Sequence, residues 1–123
     1  MSNSRPFLSV IIPSIKVDLE LKRCIDSVRL ACGADNILYE IVLITPPCQV
    51  EVAKGSVGGV TTFMPETRKG IYAAMNDGIR ASRGRYLFFL GKDDIVLPSF
   101  GQVLNQLYQE GGCAAFFDVY WGK

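Results

Sequence analysis

Two adjacent carboxylates, Asp93 and Asp94, follow the apolar run 85–90 and form the clearest candidate for chemistry. Hard oxygen ligands on a tight turn, with no histidine or cysteine nearby in sequence, suit Mg²⁺ or Mn²⁺, and such an ion would neutralise a diphosphate. Lys92 precedes the pair and is expected to reduce the negative charge there. A structural role stays open, because either aspartate would also cap the helix near Pro98 or form an Asx turn.

Basic residues ahead of a helical pattern form a second candidate. Arg68 and Lys69 precede Gly70, where their charges and the first free amides of a helix would bind phosphate oxygens. A solvated basic turn accounts for them equally well, since no multi-glycine phosphate loop is present. Asn76 lies inside the same helical pattern, where it is either buried and hydrogen-bonded or directed at a ligand.

The composition excludes several classes of site. The chain has no histidine, which excludes Ser-His and Cys-His nucleophile pairs and histidine-ligated metals. Its four cysteines form no C-x-x-C pair and are interpreted as reduced thiols, so we expect a cytoplasmic protein, free or at the inner face of the membrane. A formal charge of +1 argues against binding to nucleic acid. Tyr72, Tyr86 and the other aromatic residues are expected in the core or the sheet.

The pattern of apolar residues predicts alternating strands and helices that would position these groups. Residues 48–58 are ambiguous. The predicted strands are 7–12, 39–44, 59–63, 85–90 and 113–121, and the predicted helices run from the Asp18 cap to Gly33, from about 69 to 82, and from Pro98 to Gly111.

Alternation of this kind predicts an α/β fold, a Rossmann-like and mostly parallel sheet with helices on both faces, in a single domain over residues 1–123. Ligands bind such sheets beyond the carboxyl ends of the strands. Those ends are residues 13–16, 45–47 and 91–94, so the acidic pair lies where a ligand is expected.

Four sequence blocks in this order, residues 9–14, 39–42, 69–79 and 84–94, resemble the inverting family-two glycosyltransferases of GT-A fold. The resemblance implies the nucleotide-binding half of an enzyme that uses a nucleotide diphosphate sugar and a divalent cation, Mn²⁺ or Mg²⁺. By the same resemblance the sugar nucleotide would be bound by Pro13, Ser14, Thr45, Arg68, Lys69, Asn76 and Asp93, and the metal by Asp93 and Asp94.

The sequence departs from the pattern of that family in three places. Thr45 stands where an aspartate normally contacts the base, so weak discrimination among nucleobases is expected. Gly91 stands where the acidic triplet usually begins, and Ile15 with Lys16 replaces an aromatic-Asn pair.

The chain ends where the acceptor-binding half of the family would start, and no catalytic base is assigned. We therefore expect that it does not transfer sugar efficiently alone, and that a second chain or a missing C-terminal half supplies the rest. The alternative is a noncatalytic GT-A-like module that binds nucleotides or another protein.

Overall fold

The structure is a computed structural model, and it describes residues 5–110. The predicted strand 113–121 lies outside the described residues. The elements are β1 (Leu8–Pro13), α1 (Leu19–Ala34), β2 (Tyr39–Thr45), α2 (Val50–Ser56), β3 (Thr62–Pro65), α3 (Ile71–Ala81), β4 (Tyr86–Phe89) and α4 (Ser99–Glu110).

The four strands form one parallel sheet in the order β3-β2-β1-β4. The register pairs Leu8 of β1 with Tyr39 of β2 on one side and with Tyr86 of β4 on the other. All four strands therefore end at the same edge of the sheet, which we call the carboxyl edge. This confirms the predicted Rossmann-like α/β fold.

Apolar cores lie on both faces of the sheet. Helices α1 and α4 pack against one face through buried residues such as Leu21, Ile25 and Leu104. The other face buries α3, whose Ala74 packs against Ile11 and the β2 side chains on that face. Alternate strand residues thus serve opposite cores, as the two-residue period of a strand requires.

Helix α3 packs unusually closely on the sheet because of Gly78. A Cβ atom on Gly78 would collide with Ile11 and would lie 3.0 Å from Ile44 Cδ1. The face of α3 at Gly78 is therefore small enough for the helix to approach the sheet closely.

The sequence predicted the long helices but left the short helical segments unassigned. The ambiguous stretch 48–58 contains a 3₁₀ turn, Pro47–Gln49, and the seven-residue α2, in which Ala53 is the buried residue.

Cys24 and Cys32 are both buried on α1, and Cys48 is exposed. Among residues 5–110, no helix combines the length and the apolar character needed to cross a bilayer.

Candidate functional site

A pocket of about 240 Å³ opens at the carboxyl edge of the sheet. Its apolar wall is formed by Pro13, Ile15, Ile44, Ile71 and Ala74, with Gly70 at the start of α3. Its polar side chains are those of Ser14, Glu66 and Lys92. The pocket therefore lies where a parallel sheet is expected to bind a ligand.

A larger pocket of about 540 Å³ lies at the opposite, amino edge of the sheet. It is lined by Arg5, Phe7, Asn36 and Arg85, among others. No residue that the sequence marked for chemistry lines it, so size alone does not identify the candidate site.

The acidic turn after β4 brings two carboxylates together above Gly91. The Asp94 backbone N–H donates to the Gly91 carbonyl over 3.0 Å, and the Gly91 N–H donates to Asp94 Oδ2 over 3.2 Å. A Cβ atom on Gly91 would lie 2.7 Å from Asp94 Oδ2 and 3.3 Å from Asp93 Oδ1. Both carboxylates thus face one space, which a side chain at position 91 would fill.

Lys92 lies between these groups in sequence but does not neutralise them. Its Nζ donates to Asp18 Oδ2 over 2.6 Å and to Glu20 Oε1 over 3.0 Å, both at the start of α1. Both hydrogen bonds raise the pKa of Lys92, and the bond to Asp18 has the larger effect. The bond between Lys92 and Asp18 also lowers the pKa of Asp18. The expectation that Lys92 reduces the charge of the acidic pair is wrong, because its ammonium group is directed to α1.

Helix α1 also contacts the backbone of the acidic turn directly. Cys24 Sγ donates to the Gly91 carbonyl over 3.4 Å, and the Val96 N–H donates to Ser27 Oγ over 3.1 Å. Burial, followed by the charges of Asp94 and Asp93, raises the pKa of the Cys24 thiol to about 12. Segment 91–96 is therefore held by side chains that precede it by almost 70 residues.

The donor set fits a hard divalent cation that completes its shell with ligand oxygens. Asp93 and Asp94 are exposed and converge above Gly91, while Lys92 is occupied elsewhere. Within residues 5–110, no cluster of three or more acidic or cysteine side chains is arranged to hold a metal alone. Mg²⁺ commonly binds through one or two carboxylates together with phosphate oxygens, which is the arrangement these two aspartates permit.

The loop before α3 is ordered by a buried aspartate. Asp77 is 1% exposed, and its carboxylate accepts the Thr67 backbone N–H over 2.9 Å and the Thr67 hydroxyl over 2.9 Å. The backbone bond from Thr67 is the main cause of the lowered pKa of Asp77. Arg68 and Lys69 follow on this loop, are exposed, and form no ion pair with another residue in 5–110. The two cations are thus available to an external anion.

The structure brings only part of the predicted set together. Pro13 and Ser14 line the pocket beside Lys92, but Thr45 and Asn76 do not. Thr45 is 1% exposed, and its hydroxyl has no hydrogen-bond partner within the part of the chain that the structure describes. Asn76 is exposed, and its neighbour in sequence, Asp77, is the buried polar residue of α3.

The sequence pattern gave a wrong location for Tyr72 and did not indicate Glu66. Tyr72, expected in the core, is 80% exposed at the start of α3, whereas Tyr86 packs against the core as expected. Glu66 lines the pocket and was missed. Its position directly after β3 is the available signal, since the end of every parallel strand points to the same edge.

Comparison with known proteins adds to this geometry. A sequence model of the family described as "Glycosyl transferase family 2" matches residues 9–122. A PGL/p-HBAD biosynthesis glycosyltransferase from Mycobacterium bovis is 33% identical over 96 residues, which are 72% of this chain and 36% of that protein. The uncharacterized glycosyltransferase EpsJ from Bacillus subtilis is 30% identical over 106 residues, which are 82% of this chain and 30% of that protein.

Among solved structures, residues 1–349 of TarS from S. aureus share the fold with a TM-score of 0.60 at 15% identity. The match covers 84% of this chain and 32% of that one. The chain therefore spans about a third of the length of these relatives.

Proposed function

The chain belongs to glycosyl transferase family 2, and on that premise we propose that its carboxyl edge binds a nucleotide diphosphate sugar, together with a divalent cation, for transfer of the sugar to a hydroxyl acceptor. One observation carries the proposal: the pocket beside Pro13 and Ser14 adjoins a turn on which two carboxylates converge. The base of the nucleotide would occupy the pocket, and the diphosphate would extend toward Asp93 and Asp94.

The carboxylates of Asp93 and Asp94 would hold Mn²⁺ or Mg²⁺. When bound, such an ion stabilises the negative charge that develops on the departing diphosphate. The chain supplies the orientation, because α1 fixes the acidic turn through the thiol of Cys24 and the hydroxyl of Ser27. A fixed turn avoids part of the ordering cost that a mobile one would incur on binding.

The loop before α3 would contribute positive charge on the other side of the diphosphate. Arg68 and Lys69 lie exposed ahead of α3, and the helix begins with free backbone N–H groups that also attract anions. Gly70 has φ 113°, a conformation that favours glycine, and it lines the pocket as the loop enters the helix. Asp77 holds this loop in place through Thr67.

Calorimetry with nucleoside diphosphates, each with and without Mn²⁺, tests the proposal. Because two carboxylates make an incomplete shell, cation and nucleotide should each bind more tightly in the presence of the other. Asp93→Ala and Asp94→Ala should abolish this coupling. Asp26→Ala removes a half-exposed carboxylate of α1 that pairs with Arg29 and does not line the pocket, so it serves as the matched control.

Three results bear on the assignment. Loss of coupling in both aspartate variants, with the Asp26→Ala protein unchanged, would support it. Nucleotide affinity that stays the same in Asp93→Ala and Asp94→Ala when Mn²⁺ is present would refute the metal site. Absence of nucleotide binding by the unmodified chain would refute the proposed ligand.

A further inference from the structure

The pocket at the carboxyl edge contains one uncommitted polar side chain. The Ser14 hydroxyl donates to the Lys16 carbonyl over 2.5 Å, and the Lys92 ammonium group is bound by Asp18 and Glu20. The carboxylate of Glu66 lines the same pocket, is half-buried, and has no hydrogen bond or ion pair with any residue in 5–110. An unpaired carboxylate beside apolar walls favours a ligand that brings hydrogen-bond donors.

Backbone contacts fix the main chain from which this carboxylate projects. Pro65, the last residue of β3, pairs with Thr45 in the parallel ladder, and the Glu66 N–H donates to the Thr45 carbonyl over 2.8 Å. Glu66 thus projects from the end of the sheet, one strand beyond the position at which the sequence led us to expect base recognition. Thr45 is buried and does not line the pocket, so it offers the ligand no polar contact there.

We infer that Glu66 is the residue that discriminates among nucleobases, and that it favours guanine. The inference rests on the proposed function, since it assumes that a nucleotide occupies the pocket. A carboxylate accepts two parallel N–H bonds, and guanine presents two neighbouring N–H donors, at N1 and N2, on one edge. Adenine, cytosine and uracil place an acceptor atom beside each donor on that edge, which would repel the second carboxylate oxygen.

Both the base and the ribose of a nucleotide carry hydrogen-bond donors, but the walls of the pocket favour the base. Pro13, Ile15, Ile44 and Ile71 give the pocket a mostly apolar lining, which suits the faces of a planar ring better than a hydroxylated sugar. A volume of about 240 Å³ is smaller than the roughly 300–1,000 Å³ of pockets that enclose a whole drug-sized ligand. One portion of the nucleotide, the base, therefore fits this space.

Calorimetric titration with GDP, UDP and 2′-deoxy-GDP, all with Mn²⁺, tests the inference. The unmodified protein should bind GDP about tenfold or more tightly than UDP, because each hydrogen bond to a charged group is worth about a tenfold change in affinity or more. Glu66→Gln keeps the size of the side chain and removes its charge, and it should reduce that preference to within about threefold. Glu51→Gln is the matched control, since Glu51 lies on α2 away from the pocket and its side chain is 86% exposed.

The outcomes separate this inference from the function on which it rests. A GDP preference that disappears in Glu66→Gln and persists in Glu51→Gln would support it, as would equal binding of GDP and 2′-deoxy-GDP. An unchanged GDP-to-UDP ratio in Glu66→Gln would overturn it, and so would an equal loss for both nucleotides, which would place Glu66 against the ribose hydroxyls. If the unmodified protein binds UDP more tightly than GDP, the role of Glu66 is wrong while the proposed function stands. If it binds no nucleotide, the proposed function itself fails.

Discussion

Replacing Gly78 by alanine should destabilise the protein, because the added methyl group would enter the contact between α3 and the sheet. It would collide with Ile11 and approach Ile44 Cδ1 to 3.0 Å, and both isoleucines are fully buried. Inserting a methyl group into a packed core costs about 1–3 kcal/mol. Alanine also favours a helix by about 1 kcal/mol over glycine, so the net loss should be roughly 0–2 kcal/mol.

Gly33→Ala separates the two contributions. Gly33 lies in α1, and an added Cβ there would meet no atom within 4 Å. This variant should gain up to about 1 kcal/mol from helix propensity alone. Because the propensity gain is common to both variants, the stability difference between them should equal the packing cost at Gly78, about 1–3 kcal/mol.

Urea denaturation measures both variants on the same scale. The midpoint should fall for Gly78→Ala and rise for Gly33→Ala, with the slope m unchanged, since the surface exposed on unfolding is the same. The reasoning would be refuted if Gly78→Ala were as stable as Gly33→Ala, because α3 would then not be in tight contact with the sheet.

Gly91→Ala should weaken Mn²⁺-dependent nucleotide binding by about 10–100-fold in calorimetry. The added Cβ would displace the Asp94 carboxylate, which the Gly91 N–H orients. Unchanged affinity would contradict the site geometry. Thr45→Val should stabilise the protein by about 1 kcal/mol in urea denaturation, since it removes a buried hydroxyl that lacks a partner, and should leave nucleotide affinity unchanged. Lys92→Gln should destabilise the protein at pH 7 but not at either pH extreme. Its hydrogen bond lowers the pKa of Asp18, so the contribution is full above the unfolded value of about 3.9 and is lost as pH falls through the lower folded value. The pKa of Lys92 is raised, so the contribution is also lost as pH rises beyond about 10.4; a destabilisation that stays constant in urea curves from pH 2 to 11 would refute the ion pair.

Much of the architecture could be predicted because each long element carries a regular apolar pattern. The β1 run is β-branched and ends at Pro13, and α1 repeats its buried positions every three or four residues after the Asp18 cap. Helix α2 could not be predicted with equal ease, because seven residues with one buried alanine provide too little periodicity.

The candidate site was only partly predictable, because side-chain direction depends on distant partners. Lys92 adjoins Asp93 in sequence, yet it pairs with Asp18, which precedes it by 74 residues. Asn76 and Asp77 look equally suited to a ligand, but only Asp77 lies on the buried side of α3. The geometry of Glu66 depends on how β3 aligns with β2, which local sequence does not specify.

The thiol of Cys24 gives the acidic turn a built-in chemical probe. It is fully buried against the Gly91 carbonyl, and its pKa is raised, so an alkylating reagent reaches it only when segment 91–96 separates from α1. Cys48 is exposed and can react in the folded protein, which makes it an internal reference. The rate at which Cys24 is alkylated, resolved by peptide mapping, therefore reports how often the turn opens, and a ligand that bridges Asp93 and Asp94 should slow that rate.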